Sequence, residues 1–214
     1  MDRSGPADRQ MNLPLNPWGD RRRLRVGLLG GSFNPAHEGH RHVALVALAR
    51  LGLDQVWLLV SPQNPLKPSG GMAGLDERLA SARRIAGRHP RIRATAIERS
   101  LGTRFTADTI LRLRRRFPKT RFVWLMGADN LVQVSRWRRW MRIFGAVPVA
   151  VVARSPYSER ALASKAARRL ARFRLSAERA RGLAARKAPA WVFLHSRLHS
   201  ASATAIRGGL SAAG

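Results

Sequence analysis

Apolar and polar positions alternate along this chain with two different periods. Short runs that are almost wholly apolar recur at "LRVGLLG" (24–30), "QVWLLV" (55–60), "IRATAI" (92–97), "RFVWLM" (121–126), "VPVAVVA" (147–153) and "WVFLH" (191–195). They are too short for helices and rich in branched and aromatic residues, which predicts strands buried on both faces. Between them lie amphipathic segments with helical spacing. The predicted helices run through "GHRHVALVALARLG" (39–52), from Leu75 to Gly87, through "TADTILRLRRRF" (106–117) with a cap near Thr106, and onward from "GADN" (127–130). A long Ala/Arg-rich stretch, 160–188, reads as helical, and a short helix closes the chain at "ATAIRGGL" (203–210). Strands alternating with helices imply an α/β fold of three layers, Rossmann-like, with a mostly parallel sheet and helices on both faces. In such a sheet ligands bind beyond the carboxyl ends of the strands, where the strand order reverses.

Residues 1–23 show no apolar period and end in "DRRR", so a poorly ordered basic tail is expected there, followed by a single domain over 24–214. A chain of 214 residues is long enough for one compact core. It contains no cysteine, which removes disulfides, thiolate metal sites and thiol nucleophiles and fits a reducing, cytoplasmic setting. The start "MDRSGPADRQ" has no apolar core of the kind an export signal needs, and "GAVPVAVVA" (145–153) falls short of the ~20 residues that span a bilayer. Forty basic residues stand against 12 acidic ones, a formal net charge of +28, and nearly all the basic residues are arginine. Most fall where they would line the solvated faces of helices, in "RLRRRF", "RWRRWMR" and "KAARRLARFR". A polyanion such as RNA is the functional alternative for that charge.

The chemistry gathers at three strand ends, "GGSFNPAHEGH", "SPQNPLK" and "MGADN". In the first, Gly30 and Gly31 are expected to turn the backbone and bring its N–H groups close to a ligand. The helix that starts beyond Pro35 offers further N–H groups and a positive dipole end, a site for phosphate. Neither a P-loop nor a G-x-G-x-x-G spacing is present. His37 and His40, three apart, project from one side of the first helical turn and can donate to phosphate oxygens. Zinc is disfavoured by the lack of cysteine and by Glu38, which points elsewhere, while His42 lies within the helix as a structural residue.

These residues resemble a known family. "GSFNPAHEGH" is similar to the G-x-F-x-P-x-H-x-G-H motif of the nucleotidyltransferase superfamily, whose H-x-G-H element is shared with class I aminoacyl-tRNA synthetases. "SPQNPLK", "TADT", "GADNL" followed by "RW", and "SATAIR" resemble, in order, the further motifs of bacterial nicotinate-nucleotide adenylyltransferases. The resemblance implies transfer of AMP from ATP to nicotinate mononucleotide, giving nicotinate adenine dinucleotide and pyrophosphate in NAD biosynthesis. The mononucleotide's own phosphate is then the nucleophile, and the protein positions two phosphates and stabilises charge.

By that resemblance His37, His40 and Arg207 are catalytic. Gly30, Gly31, Ser32, Phe33, Gly127, Asp129, Ser202 and Thr204 join them in binding ATP, with Asp129 on a ribose. Lys67, Thr106 and Trp137 bind the mononucleotide, Lys67 on its phosphate, Trp137 stacking on the pyridine ring and Thr106 beside its carboxylate. Mg²⁺ is the implied cofactor, carried by the ATP phosphates and not by a protein metal site. In "SATAIR", Ala201 and Ala203 replace the Ile and second Ser of the commonest pattern, I-S-S-T-x-I-R. Three other readings remain: adenylyl or cytidylyl transfer to another phosphorylated acceptor, an RNA-binding module on the same fold, and a homo-oligomer as the working unit.

Overall fold

The computed structural model describes residues 16, 19–62, 71–153 and 158–196. Its strands are β1 (Arg25–Gly31), β2 (Gln55–Val60), β3 (Ile92–Thr95), β4 (Arg121–Gly127), β5 (Val149–Ala153), β6 (Arg174–Leu175) and β7 (Trp191–His195). They form one sheet in the order β3-β2-β1-β4-β5-β7-β6, parallel at every pairing. The helices are α1 (Glu38–Leu51), α2 (Leu75–Ala86), α3 (Ile97–Leu101), α4 (Thr106–Arg116), α5 (Ala128–Gln133), α6 (Trp140–Ala146), α7 (Ser158–Leu162) and α8 (Lys165–Arg169). Among the described residues no helix is long and apolar enough to cross a membrane.

Alternate strand residues feed two separate cores, as the two-residue period of a pleated strand requires. Val26, Leu28, Trp57, Leu59, Trp124, Val151 and Phe193 face one side, under the apolar faces of α3, α4, α5 and α6. Leu29, Val56, Leu58, Val60, Leu125, Val152 and Leu194 face the other, covered by α1 and α2. On α4 the buried set is Ala107, Thr109, Ile110 and Leu113, with Arg114, Arg115 and Arg116 gathered at its C-terminal end, where the helix dipole favours cations. α1 ends on Gly52, whose φ of 61° is the left-handed conformation that glycine adopts without a Cβ penalty.

Two stretches depart from the periodicity. The 160–188 segment is not one helix: after α8 it passes through a 3₁₀ turn (Ala171–Phe173), the two-residue β6 and a 3₁₀ run (Ala177–Ala185). Ser164 caps α8 by accepting the Ala167 N–H, and the Arg174 guanidinium lies over Trp191 and Phe193, so edge pairing on β7 overrides the helix propensity of alanine. "IRATAI" is strand only to Thr95; the Thr95 hydroxyl accepts the Ile97 N–H at 3.1 Å and starts α3, which the sequence pattern did not predict.

Of the basic tail, residues 19–23 lie against the domain: Arg22 pairs with Asp20 at 2.6 Å and its carbonyl accepts from the Thr120 hydroxyl at 3.1 Å. Arg23, Arg25, Lys119 and Arg121 line a cavity of about 530 Å³ with Leu24 and Asp54 at the amino ends of β1 and β4. That basic cavity lies at the amino-terminal end of the central strands, opposite the histidine turn at their carboxyl end.

Candidate active site

The strand order reverses between β1 and β4, and the register shows how a crevice opens there. β1 pairs with β2 as far as Gly31–Val60, and β4 with β5 as far as Gly127–Val152, but β1 and β4 stop pairing at Leu29–Leu125. Beyond that point the two central strands separate and their carboxyl ends frame a cleft.

The turn leaving β1 is made by Phe33 and not by the glycines. Gly30 and Gly31 remain in the ladder with β2, while Phe33 takes a left-handed φ of 49° and the Asn34–Pro35 peptide is cis. A Cβ on Gly30 would stand 2.4 Å from Cη2 of Trp124, so the missing side chain of this glycine makes room for an indole ring. A non-glycine residue in the left-handed region costs about 1–2 kcal/mol and persists only where its surroundings fix it. Here the fixing comes from α2 and the residues before it. Asn34 donates to the Gly71 carbonyl and accepts from the Ala73 N–H, both at 3.2 Å, and the Ala36 N–H donates to Ser81 Oγ at 3.1 Å. Arg78, only 2% exposed, donates to the carbonyls of Ser32, Ser61, Pro62 and Ala73 at 2.7–2.9 Å. Burial lowers its pKa, and among the described residues no carboxylate pairs with it.

His37 and His40 form the N-terminal cap of α1. The His37 ring accepts the Gly39 N–H on Nδ1 at 3.1 Å, and the His40 ring accepts the His37 N–H on Nδ1 at 3.2 Å. This is a capping box with imidazoles in the places usually taken by Ser and Glu. A nitrogen that accepts a hydrogen bond carries no proton, so both rings are held as the tautomer with N–H on Nε2. The rings lie 3.9 Å apart between centroids, and Phe33 supports His40 at 4.7 Å. The result is a pair of oriented N–H donors at a helix start. Glu38 is exposed, and among the described residues no three His, Asp or Glu side chains converge on a metal position. His42 does more than pack: its Nε2 meets Ser196 Oγ at 3.1 Å, and that hydroxyl donates to the Ala153 carbonyl at 2.9 Å, tying α1 to the ends of β5 and β7.

On the other side of the crevice, Gly127 ends β4 and is the N-cap of α5, which begins at Ala128 rather than beyond Asn130. Asp129 therefore sits in the first turn of the helix and is not its cap. Thr106 is the first residue of α4, whose N-cap is Phe105. The segment carrying Trp137 docks against that helix start: Arg138 lies 4.6 Å above the Phe105 ring and Arg139 reaches Asp108 at 3.5 Å. Arg139 has φ 55°, and among the described residues it and Phe33 are the non-glycine positions with positive φ. Trp137 is half-buried and meets Trp124 edge to face at 6.5 Å; Trp124 in turn occupies the space over Gly30. Trp140 packs on Phe144 at 6.0 Å, partly buried against the core. The structure thus brings Gly30, Trp124, Trp137 and the α4 start into one chain of contacts. Lys67, Ser202, Thr204 and Arg207 lie outside the described residues.

Sequence reasoning missed Arg78, Trp124 and Glu98. Glu98 is 7% exposed, accepts from the Thr109 hydroxyl at 3.0 Å, and has its pKa raised by burial. The signal for Arg78 was available: it stands on one stripe of α2 with Ala82 and Ala86, a cation where an apolar residue belongs.

Residues 28–209 match the cytidylyltransferase-like family model. A Bradyrhizobium sp. protein named "Probable nicotinate-nucleotide adenylyltransferase" is 55% identical over 184 residues, 86% of this chain and 95% of its own length. A Cereibacter sphaeroides protein of the same name is 56% identical over 182 residues, 85% and 96% of the two chains. Among solved structures, Plasmodium falciparum nicotinic acid mononucleotide adenylyltransferase complexed with NaAD superposes with a TM-score of 0.64 at 14% identity, covering 86% of this chain and 83% of that one. At that identity the likeness is one of fold.

Proposed function

The chain belongs to the cytidylyltransferase-like family and, within it, to the nicotinate-nucleotide adenylyltransferases, and from that premise we propose that the crevice between β1 and β4 transfers AMP from ATP to nicotinate mononucleotide. The observation that carries this reading is the pair of imidazoles at the start of α1 whose Nδ1 atoms both accept backbone N–H groups, which puts the ring N–H of each on Nε2. Neutral, oriented donors suit a reaction in which negative charge moves among phosphoryl oxygens and no protein nucleophile is needed.

An oxygen of the mononucleotide phosphate attacks the α-phosphorus of ATP in line. The bond from the α-phosphorus to the β-phosphate's bridging oxygen breaks, and pyrophosphate leaves with that electron pair. His37 and His40 donate to the transferring and leaving phosphoryl oxygens, where charge accumulates. The backbone of residues 30–33 lines the same phosphates, with Gly127 and Asp129 across the crevice, the Asp129 carboxylate accepting from the adenylyl ribose. Trp137, braced by Trp124, offers a flat face to the pyridine ring. The N-terminus of α4 at Thr106 offers N–H groups and a positive dipole end to the ring's carboxylate, which favours the acid over the amide. Lys67 on the acceptor phosphate, and Ser202, Thr204 and Arg207 on the ATP phosphates, complete the set by their motifs. ATP enters as its Mg²⁺ complex, the ion neutralising the polyphosphate.

The test is pyrophosphate release from ATP and Mg²⁺ with nicotinate mononucleotide and, separately, with nicotinamide mononucleotide at matched concentrations. Faster release with the acid is expected. Equal rates would remove the role given to α4, and no release with either would remove the reading.

A further inference from the structure

The β1–β2 ladder ends in an unusual way, and a side chain from α2 ends it. In a parallel pair the bonds continue rung by rung: after the Ser61 N–H donates to the Gly31 carbonyl at 3.0 Å, the next rung would run from the Phe33 N–H to the Ser61 carbonyl. That acceptor is held instead by Nη1 of Arg78 at 2.7 Å, and the same nitrogen holds the Ser32 carbonyl at 2.8 Å. Nη2 holds Pro62 and Nε holds Ala73, so the planar fork of donors is spent on four carbonyls. Among the described residues no acceptor takes the Phe33 N–H.

The Ser32–Phe33 peptide is trans, so its C=O and N–H point to opposite sides. Drawing the Ser32 oxygen onto Arg78 turns the Phe33 N–H away from α2. It does so at the residue whose ring lies against His40. A buried guanidinium without a carboxylate partner is costly unless its hydrogen bonds are complete, and here they are made to main-chain carbonyls of the site alone.

We propose that Arg78 is a positioning residue for adenylyl transfer: by holding the Ser32 and Ser61 carbonyls it stops the ladder one rung early and presents the Phe33 N–H as a third donor, beside the two imidazoles, to a phosphate of the nucleotide. This rests on the adenylyl-transfer reading of the crevice. A lysine at 78 keeps the charge but cannot bridge four carbonyls, because a flexible ammonium lacks the fork.

The experiment follows the backbone amide of Phe33 by NMR in the full chain, first with inorganic pyrophosphate and then with ATP and Mg²⁺, in the wild type and in Arg78→Lys, alongside steady-state kinetics. The wild-type Phe33 amide proton moves downfield with both ligands. In Arg78→Lys that movement is lost and kcat falls by about 10–100-fold, the scale of a misplaced oxyanion donor. KM for the mononucleotide stays within about threefold, a split that loss of transition-state stabilisation alone gives and general unfolding does not. If the lysine variant does not fold, the wild-type titration decides. Nucleotide that moves the His37 and His40 signals while leaving Phe33 in place overturns the inference and leaves adenylyl transfer standing. Wild-type kcat in a folded Arg78→Lys protein overturns it as well. Absence of both nucleotide binding and pyrophosphate release overturns the inference together with the reading beneath it.

Discussion

His40 performs two tasks whose energies differ enough to be separated. Its Nδ1 accepts the His37 N–H at 3.2 Å, a cap worth about 1 kcal/mol, while its Nε2–H is the donor assigned to phosphate. Removing a preorganised donor of this kind costs about 10²–10³ in turnover, roughly 2.7–4 kcal/mol of barrier. His40→Ala removes both, so kcat falls by about 100-fold or more. The melting temperature falls only by about 2–4 °C, as expected for about 1 kcal/mol in a domain of this size. His40→Gln separates the two: glutamine at the third helical position can accept the same N–H and restore the cap, but does not place an N–H at the Nε2 position. Its melting temperature returns toward wild type while kcat remains low. Turnover measured by pyrophosphate release, with thermal melts on the same preparations, decides the matter. A folded His40→Ala or His40→Gln protein with wild-type turnover refutes the assignment, and so does activity that tracks stability across the pair.

Trp137→Ala removes the face offered to the pyridine ring and raises KM for the mononucleotide far more than for ATP in steady-state kinetics; equal increases would count against stacking. Gly30→Ala sets a methyl group 2.4 Å from Trp124, forcing that ring to shift, with a loss of about 1–3 kcal/mol seen as a lower melting temperature; an unchanged melt would show that the indole has room to move. Burial raises the Glu98 pKa in the folded state, so its contribution to stability is full below the unfolded value and declines as pH rises through the folded one. Glu98→Gln keeps a neutral side chain at all pH, and its melting temperature gains on the wild type as pH increases; a difference that does not vary with pH would mean that Glu98 is not held neutral.

Much of the central sheet was legible because β1, β2, β4, β5 and β7 are buried on both faces and read as unbroken apolar runs. The two residues of β6 carry no period at all, and alanine-rich sequence between 160 and 188 expresses helix propensity that packing against β7 overrides. The histidines were legible because their i, i+3 spacing survives translation into a helix. Their tautomer was not, since it depends on which backbone N–H meets each Nδ1. Arg78 is one arginine among many by composition, and its partners lie 46 residues upstream at Ser32 and 16–17 at Ser61 and Pro62, a convergence that only the fold creates. The steric need for glycine at position 30 is not legible in the sequence, because the ring that fills the space of its missing Cβ, Trp124, is on another strand.

The most direct test of adenylyl transfer onto the acceptor's own phosphate is to supply nicotinate mononucleotide carrying ¹⁸O in all the terminal oxygens of its phosphate, with unlabelled ATP and Mg²⁺, and to weigh the products by mass spectrometry. Attack by the acceptor phosphate on the α-phosphorus predicts nicotinate adenine dinucleotide that retains the full label, including the bridging oxygen, and pyrophosphate that carries none. Label in pyrophosphate, or unlabelled AMP released without dinucleotide, would contradict it.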